Sequence, residues 1–130
     1  MPKKRRAVRN IYGSFKPFHD RLKGVCIENM DFSNLIKNYD ADTTLFYADP
    51  PYVGTENYYK GSLKGGFGIK DHERLASDLK GIKGKFVLSY NVCDVVKDLY
   101  KTYNMQEIDV TYGINAPRQV KTKEFIIKNF

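Results

Sequence analysis

Short apolar runs alternate with amphipathic segments along the chain, which is the pattern of strands interleaved with helices. Apolar and aromatic runs predict strands at residues 25–28, 45–48 and 86–88, around residues 108–110, and at residues 124–130. Helical spacing predicts buried stripes at Phe32, Leu35, Ile36 and Tyr39, at Leu75, Leu79 and Ile82, and at Val95, Val96, Leu99 and Tyr103. This order of elements predicts an α/β fold of three layers.

The run at residues 45–48 ends abruptly in the sequence Asp49-Pro50-Pro51-Tyr52. Proline fixes φ and has no N–H, so the strand stops in a rigid turn and the carbonyl groups of Asp49 and Pro50 point outward. The turn therefore offers an acid, two carbonyl acceptors and an aromatic face. Such groups suit a flat molecule with an exocyclic amino group, and a nucleobase fits that description.

This turn resembles the Asp-Pro-Pro-Tyr motif of amino-group DNA methyltransferases, and its surroundings are similar to the adenine-N6 (Dam-like) branch. Further landmarks of that family occur in the same order at residues 28–32, 89–91 and 124–129. The resemblance implies a catalytic turn made of Asp49, Pro50, Pro51 and Tyr52. Asp49 and the adjoining proline carbonyl would bind the target amino group, and Tyr52 would stack on an adenine flipped out of the DNA duplex. The methyl donor of the family is S-adenosylmethionine.

The same resemblance places Asp31 and Phe32 beside the adenine of the cofactor. A purely structural interpretation is equally good for both residues. Asp31 or Ser33 is able to cap the helix of this region, and Phe32 fits the core side of that helix. We therefore expect the pair at the cofactor site and keep the structural alternative open.

The resemblance covers nearly the whole chain but only the C-terminal part of the family's Rossmann-like sheet, whose strand order is 3-2-1-4-5-7-6. Strands 3 to 7 have counterparts here, with strand 3 at residues 25–28 and strand 4 at residues 45–48. Strands 1 and 2, and the Gly-rich loop that holds the methionyl part of the cofactor, have none. Strand 4 would then be an apolar edge strand without protecting charges. We expect a separate chain, self-association or strand 3 itself to cover that edge.

Two functions follow from these expectations. The first is a site-specific adenine-N6 DNA methyltransferase fragment, which transfers a methyl group from S-adenosylmethionine when its missing half completes the cofactor site. The alternative is a non-catalytic DNA-binding remnant of a truncated or split methyltransferase. Cofactor affinity separates the two, because a remnant binds DNA without binding the cofactor.

Positive charge is unevenly distributed and favours double-stranded DNA as the partner. The net charge is +7, and nearly all charged residues in the first 23 positions are basic. We interpret residues 1–23 as the tail of a target-recognition region and residues 24–130 as a partial methyltransferase catalytic domain. The expected DNA contacts are Lys3, Lys4, Arg5, Arg6, Arg9, Tyr58, Lys60 and Arg118. A solvated basic arm, a mobile surface loop and a hairpin tip explain the same residues without DNA.

Metal and membrane sites are not indicated by the sequence. There is no Cys-x-x-Cys pair and no His/Cys cluster of metal-ligand spacing, so we predict no metal site. Cys26 and Cys93 are interpreted as reduced core thiols, and His19 and His72 as ordinary polar residues. No segment approaches the length of an apolar membrane span and the start lacks a signal-type apolar region, so a cytoplasmic protein is expected.

Overall fold

The computed structural model of the chain describes residues 11–55, 66–112 and 120–130. The helices are α1 (Ile11–Leu22), α2 (Phe32–Tyr39), α3 (Ile69–Lys80) and α4 (Asp94–Leu99). The strands are β1 (Leu45–Ala48), β2 (Lys85–Asn91), β3 (Asn104–Tyr112) and β4 (Val120–Lys128). Helices and strands alternate from α2 to β3, and the predicted α/β class is confirmed.

The strands form one mixed sheet in the order β1-β2-β4-β3. β1 and β2 are parallel, with Phe46 opposite Phe86, and both remaining pairs are antiparallel. In the family numbering this order reads 4-5-7-6. The strand order predicted for these elements is therefore confirmed.

The hydrophobic core lies on one face of this sheet. Phe86, Leu88 and Tyr90 alternate along β2, so their side chains share a face, and all three are fully buried. The helical residues in the same cluster are Ile36 from α2, Leu75, Ala76 and Leu79 from α3, and Val96 from α4. These helices therefore cover the face of the sheet from which the core side chains project.

The strand β1 is an edge strand with an open apolar surface. On the face opposite the core, Leu45 is 60% exposed and Tyr47 is 71% exposed. Within the described ranges β1 pairs with β2 alone. The predicted strand at residues 25–28 is wrong, since these residues are exposed and in no ladder, and they do not close against β1. A β-ladder needs a neighbouring strand, and among the described residues none lies beside this segment.

Several local predictions also need correction. β4 begins at Val120, earlier than the predicted start at residue 124. Helix α3 begins after Gly68, and Asp71 caps it from inside, because its carboxylate accepts from the Gly68 N–H at 3.0 Å.

Helix α1 was not predicted, and it contains Pro17, a residue that disfavours helix interiors. Cys26 is exposed and is not a core thiol.

The start of β2 is fixed by two polar side chains from distant positions. Asp40 accepts hydrogen bonds from the backbone N–H groups of Lys83 and Gly84. Asn129 accepts from the Phe86 N–H and donates to the Gly84 carbonyl. These bonds fix where β2 enters the sheet and hence where its far end meets β1.

No helix in the described part of the chain is long and apolar enough to cross a membrane.

Candidate active site

The turn of residues 49–52 lies directly after β1, at the carboxyl end of the parallel strand pair. Ligands of open α/β sheets bind outside the carboxyl ends of such strands. Asp49 is exposed, whereas Pro50, Pro51 and Tyr52 are half-buried. The Asp49 side chain is thus exposed to solvent, while Pro50 and Pro51 pack partly against the rest of the protein.

The last residues of β2 hold this turn in place. The hydroxyl of Ser89 donates to Asp49 Oδ1 at 2.9 Å. Asn91 makes a two-way pair with Val53, since its amide accepts from the Val53 N–H and donates to the Val53 carbonyl, each at 3.0 Å. Ser89 is 4% exposed, so the bond to Asp49 comes from a buried support. Among the described residues, no donor contacts the second carboxylate oxygen of Asp49, which is left for a ligand.

A cavity of about 240 Å³ opens beside the turn. Its lining is mostly apolar and consists of Phe32, Leu35, Ile36, Phe46, Tyr47, Ala48, Asp49, Pro50, Phe67, Leu75 and Leu79. The structure therefore brings Phe32 together with Asp49 and Pro50, although Asp49 comes 17 positions after Phe32 in the sequence. Phe67, from the Gly-rich segment before α3, is buried and lies 5.8 Å from the Phe32 ring.

Asp31 is not part of the cavity lining. It is the N-cap of α2 and accepts from the Ser33 N–H at 2.9 Å. Arg74 of α3 donates to both of its carboxylate oxygens and also binds Asp71. The hydrogen bond from Arg74 holds the pKa of Asp31 below its ordinary value. The same guanidinium lies 3.9 Å from the centre of the Phe32 ring, so Arg74 ties the start of α2 to α3 at the rim of the cavity.

A buried pair of side chains, His72 and Tyr90, lies beneath the turn, and the sequence analysis did not predict it. His72 was interpreted as an ordinary polar residue, but it is fully buried and its Nδ1 is hydrogen-bonded to the hydroxyl of Tyr90. Burial raises the pKa of Tyr90, which keeps the hydroxyl protonated. The Tyr90 ring lies 6.4 Å from Tyr52, and the His72 ring lies 4.9 Å from Phe67.

These features agree with the comparison with protein families. The sequence profile of the D12 class N6 adenine-specific DNA methyltransferases matches residues 5–114. The chain belongs to this family. The family acts on adenine in DNA, and the matched range includes the turn, the cavity residues and the whole of β2. No curated protein matches the chain.

In this D12 class chain, the predicted DNA contacts lie outside the described residues. They are Lys3, Lys4, Arg5, Arg6, Arg9, Tyr58, Lys60 and Arg118. What is described of the basic segment is α1, where Phe15 and Phe18 are 58% and 66% exposed and Lys16 pairs with Asp20. Contact with DNA stays a prediction for this segment.

Three supporting residues of the site had different signals in the sequence. Ser89 and Asn91 are polar residues directly after a buried apolar run, which marks a strand end where ligands bind, although no role was assigned to them. Arg74 gave no signal, since a basic residue on a helix is ordinarily solvated. Its role depends on the packing of α3 against α2, which the sequence does not reveal.

Proposed function

We propose that this D12 class chain binds the target adenine of double-stranded DNA at the turn of residues 49–52 and takes part in methyl transfer to its N6 from S-adenosylmethionine. The observation that carries the proposal is the shared wall of the cavity. Asp49 and Pro50 border the same space as Phe32. A base amino group held by Asp49 would thus lie next to a ring held against Phe32.

On the target side, Asp49 and the Pro50 carbonyl act as two acceptors for the N–H groups of adenine N6. The lone pair of this amine is delocalised into the ring, so the amine is a poor nucleophile. Accepting both hydrogens favours a more nucleophilic geometry and stabilises the positive charge that develops in the transition state. Ser89 occupies one oxygen of Asp49, which orients the other toward the base. Stacking on Tyr52 contributes about 1–3 kcal/mol to holding the flipped base.

On the cofactor side, the cavity fits a single ring system. Its volume of about 240 Å³ lies below the roughly 300–1,000 Å³ of sites that enclose a whole drug-sized ligand. Phe32 and Phe67 offer aromatic surface to a purine, which supports adenine of the cofactor as the occupant. Asp31 lies next to Phe32 but outside the cavity lining, and we propose that its carboxylate, which Arg74 holds at the rim, contacts the cofactor from there. When bound, S-adenosylmethionine supplies an electrophilic methyl group.

The methionyl part of the cofactor needs a Gly-rich loop, and we propose that another segment or chain provides it through β1. The edge of β1 is apolar, and Leu45 and Tyr47 are exposed beside it. A parallel strand added there would end at the same edge of the sheet as Asp49. Sedimentation of the chain alone tests this step. Self-association or poor solubility is expected from an unprotected edge, and a clean, cooperatively melting monomer would contradict it.

The basic segment of residues 1–23 is proposed to contact the phosphates of the DNA backbone. Lys and Arg release condensed counterions when they bind phosphates, so the affinity should fall steeply with salt. The partition into this segment and a catalytic part at residues 24–130 is part of the same proposal. Removing residues 1–10 should flatten the salt dependence of binding to duplex DNA.

Calorimetric titration of adenosine and of S-adenosylmethionine tests the cofactor side. Because the cavity holds the ring alone, both compounds should bind the isolated chain with similar affinity. Phe32→Ala should weaken both by about tenfold or more, as expected for a lost stacking partner. Phe18→Ala, which removes an exposed ring on α1, is the matched control and should change neither. A chain that binds duplex DNA but neither compound would instead be a non-catalytic DNA-binding remnant.

A further inference from the structure

The hydrogen bond between His72 and Tyr90 joins two side chains that are both completely buried. His72 comes from the first turns of α3, and Tyr90 comes from the end of β2. Polar groups in a core are unfavourable unless they are paired, and an apolar residue would fill either position without needing a partner. The bond therefore fixes how α3 and β2 meet, in a way that simple packing does not.

The two rings connect the proposed sites for the cofactor and the target base. On one side, the edge of Phe67, a cavity-lining residue, meets the His72 ring with centroids 4.9 Å apart and planes at 75°. On the other side, Tyr90 lies tilted against Tyr52 at 6.4 Å. Phe67, His72, Tyr90 and Tyr52 thus form a continuous row of rings. One end of the row lines the cavity and the other belongs to the turn.

Tyr90 is also one of three consecutive β2 residues that touch the turn segment. Ser89 binds Asp49, and Asn91 binds Val53 through both backbone groups. Tyr90 contributes a ring beneath Tyr52 and no hydrogen bond to the turn. The bond from its hydroxyl to His72 fixes the far end of the ring.

We propose that His72 is a positioning residue for the target base. It acts through Tyr90, which sets the plane of Tyr52 on which the flipped adenine stacks. This inference rests on the proposed function of Tyr52 and adds to it a residue from α3. His72 touches neither the base nor the cofactor.

The test combines base flipping with stability. The wild-type chain is titrated onto duplex DNA that carries 2-aminopurine opposite a mismatched base, where extrusion requires least energy and the recognised sequence matters least. Extrusion of the base raises its fluorescence. His72→Leu and Tyr90→Phe should each weaken the fluorescence-detected binding by about three- to tenfold, the range of one hydrogen bond. His72→Asn, whose amide reaches the position of Nδ1, should restore binding to within about twofold.

Two control variants separate positioning from stability. Val96→Ala shortens a fully buried side chain of α4 and should lower the melting temperature without weakening the fluorescence signal well below melting. Tyr100→Phe removes another buried hydroxyl near Tyr90 and should also leave the signal unchanged. If His72→Leu lowers only the melting temperature, as Val96→Ala does, the positioning role is refuted. If the wild-type chain binds the duplex without raising the fluorescence, the proposed function of Tyr52 fails and the inference falls with it.

Discussion

The two-way hydrogen bond between Asn91 and Val53 yields the sharpest prediction about the turn. The Asn91 amide both accepts from and donates to the Val53 backbone, at 3.0 Å in each case. In Asn91→Asp the carboxylate still accepts from the Val53 N–H, but it offers no donor to the carbonyl. One hydrogen bond is lost, and two oxygens are brought face to face in a half-buried place.

The expected loss is about 2 kcal/mol, half of it the missing bond and half the unpaired carbonyl. At this chain length 1 kcal/mol corresponds to about 4 °C in melting temperature, so the variant should melt about 6–8 °C lower at neutral pH. Asn104→Asp places the same change at an exposed position at the start of β3 and should alter the melting temperature by less than about 2 °C.

The pH dependence provides a second readout of Asn91→Asp. Protonation of the introduced carboxyl restores a donor, so the folded state favours the neutral form and raises the pKa of this group above its unfolded value. A group with a raised pKa adds stability below its unfolded pKa, and that contribution is lost as the pH rises through the folded pKa. The melting temperature of Asn91→Asp should therefore lie closer to that of the wild type at about pH 4 than at neutral pH. If the melting temperature of the variant lies equally far below that of the wild type at about pH 4 and about pH 8, or is not lowered at all, the two-way hydrogen bond between Asn91 and Val53 is refuted.

Further predictions concern the scaffold around the site. Gly84→Ala should destabilise the chain by about 1–3 kcal/mol in chemical denaturation, because the added Cβ would lie 2.7 Å from the Thr44 carbonyl oxygen. Tyr100→Phe should raise the melting temperature by a few degrees, since this buried hydroxyl has no hydrogen-bond partner among the described residues. Arg74→Met should reduce the acid sensitivity of thermal stability. A hydrogen bond from Arg74 lowers the pKa of Asp31. The pKa of Asp71 is lowered first by the Gly68 N–H and then by Arg74. The two carboxylates therefore stabilise the fold above their unfolded pKa near 3.8, and this stabilisation is lost as the pH falls further. Equal acid sensitivity of the wild type and Arg74→Met would contradict this.

The sheet and the turn were predictable because their signals are local. An apolar run that stops at Asp49-Pro50 defines a strand end whatever lies around it, since proline removes the N–H that would continue the ladder. The strand order required the family resemblance in addition, because spacing does not tell which strands are neighbours. The structure then confirmed β1-β2-β4-β3.

Features that depend on distant contacts were not predictable. Residues 25–28 have the composition of a strand, but a ladder needs a neighbour and the described residues provide none there. The sequence around His72 is that of a charged, solvent-facing helix. The burial of His72 and its hydrogen bond depend on Tyr90, which comes from a different element and is placed in the core only by the fold. Asp31 was placed by its capping pattern, yet its bond to Arg74 depends on how α3 packs against α2.

Photocrosslinking to a base analogue tests most directly whether the turn receives the target base. A duplex carrying 5-iodouracil opposite a mismatched base is irradiated with the chain, and the crosslinked residue is identified by mass spectrometry. The base should stack on Tyr52, so the crosslink should map to Tyr52 and disappear in Tyr52→Ala while Tyr47→Ala retains it. Tyr47 is an exposed tyrosine of β1 beside the cavity, and its side chain points to the other face of the sheet from Phe46, so it is not placed to stack on a base at the turn. A crosslink that maps to α1 or to Tyr47, and that persists in Tyr52→Ala, would contradict the account.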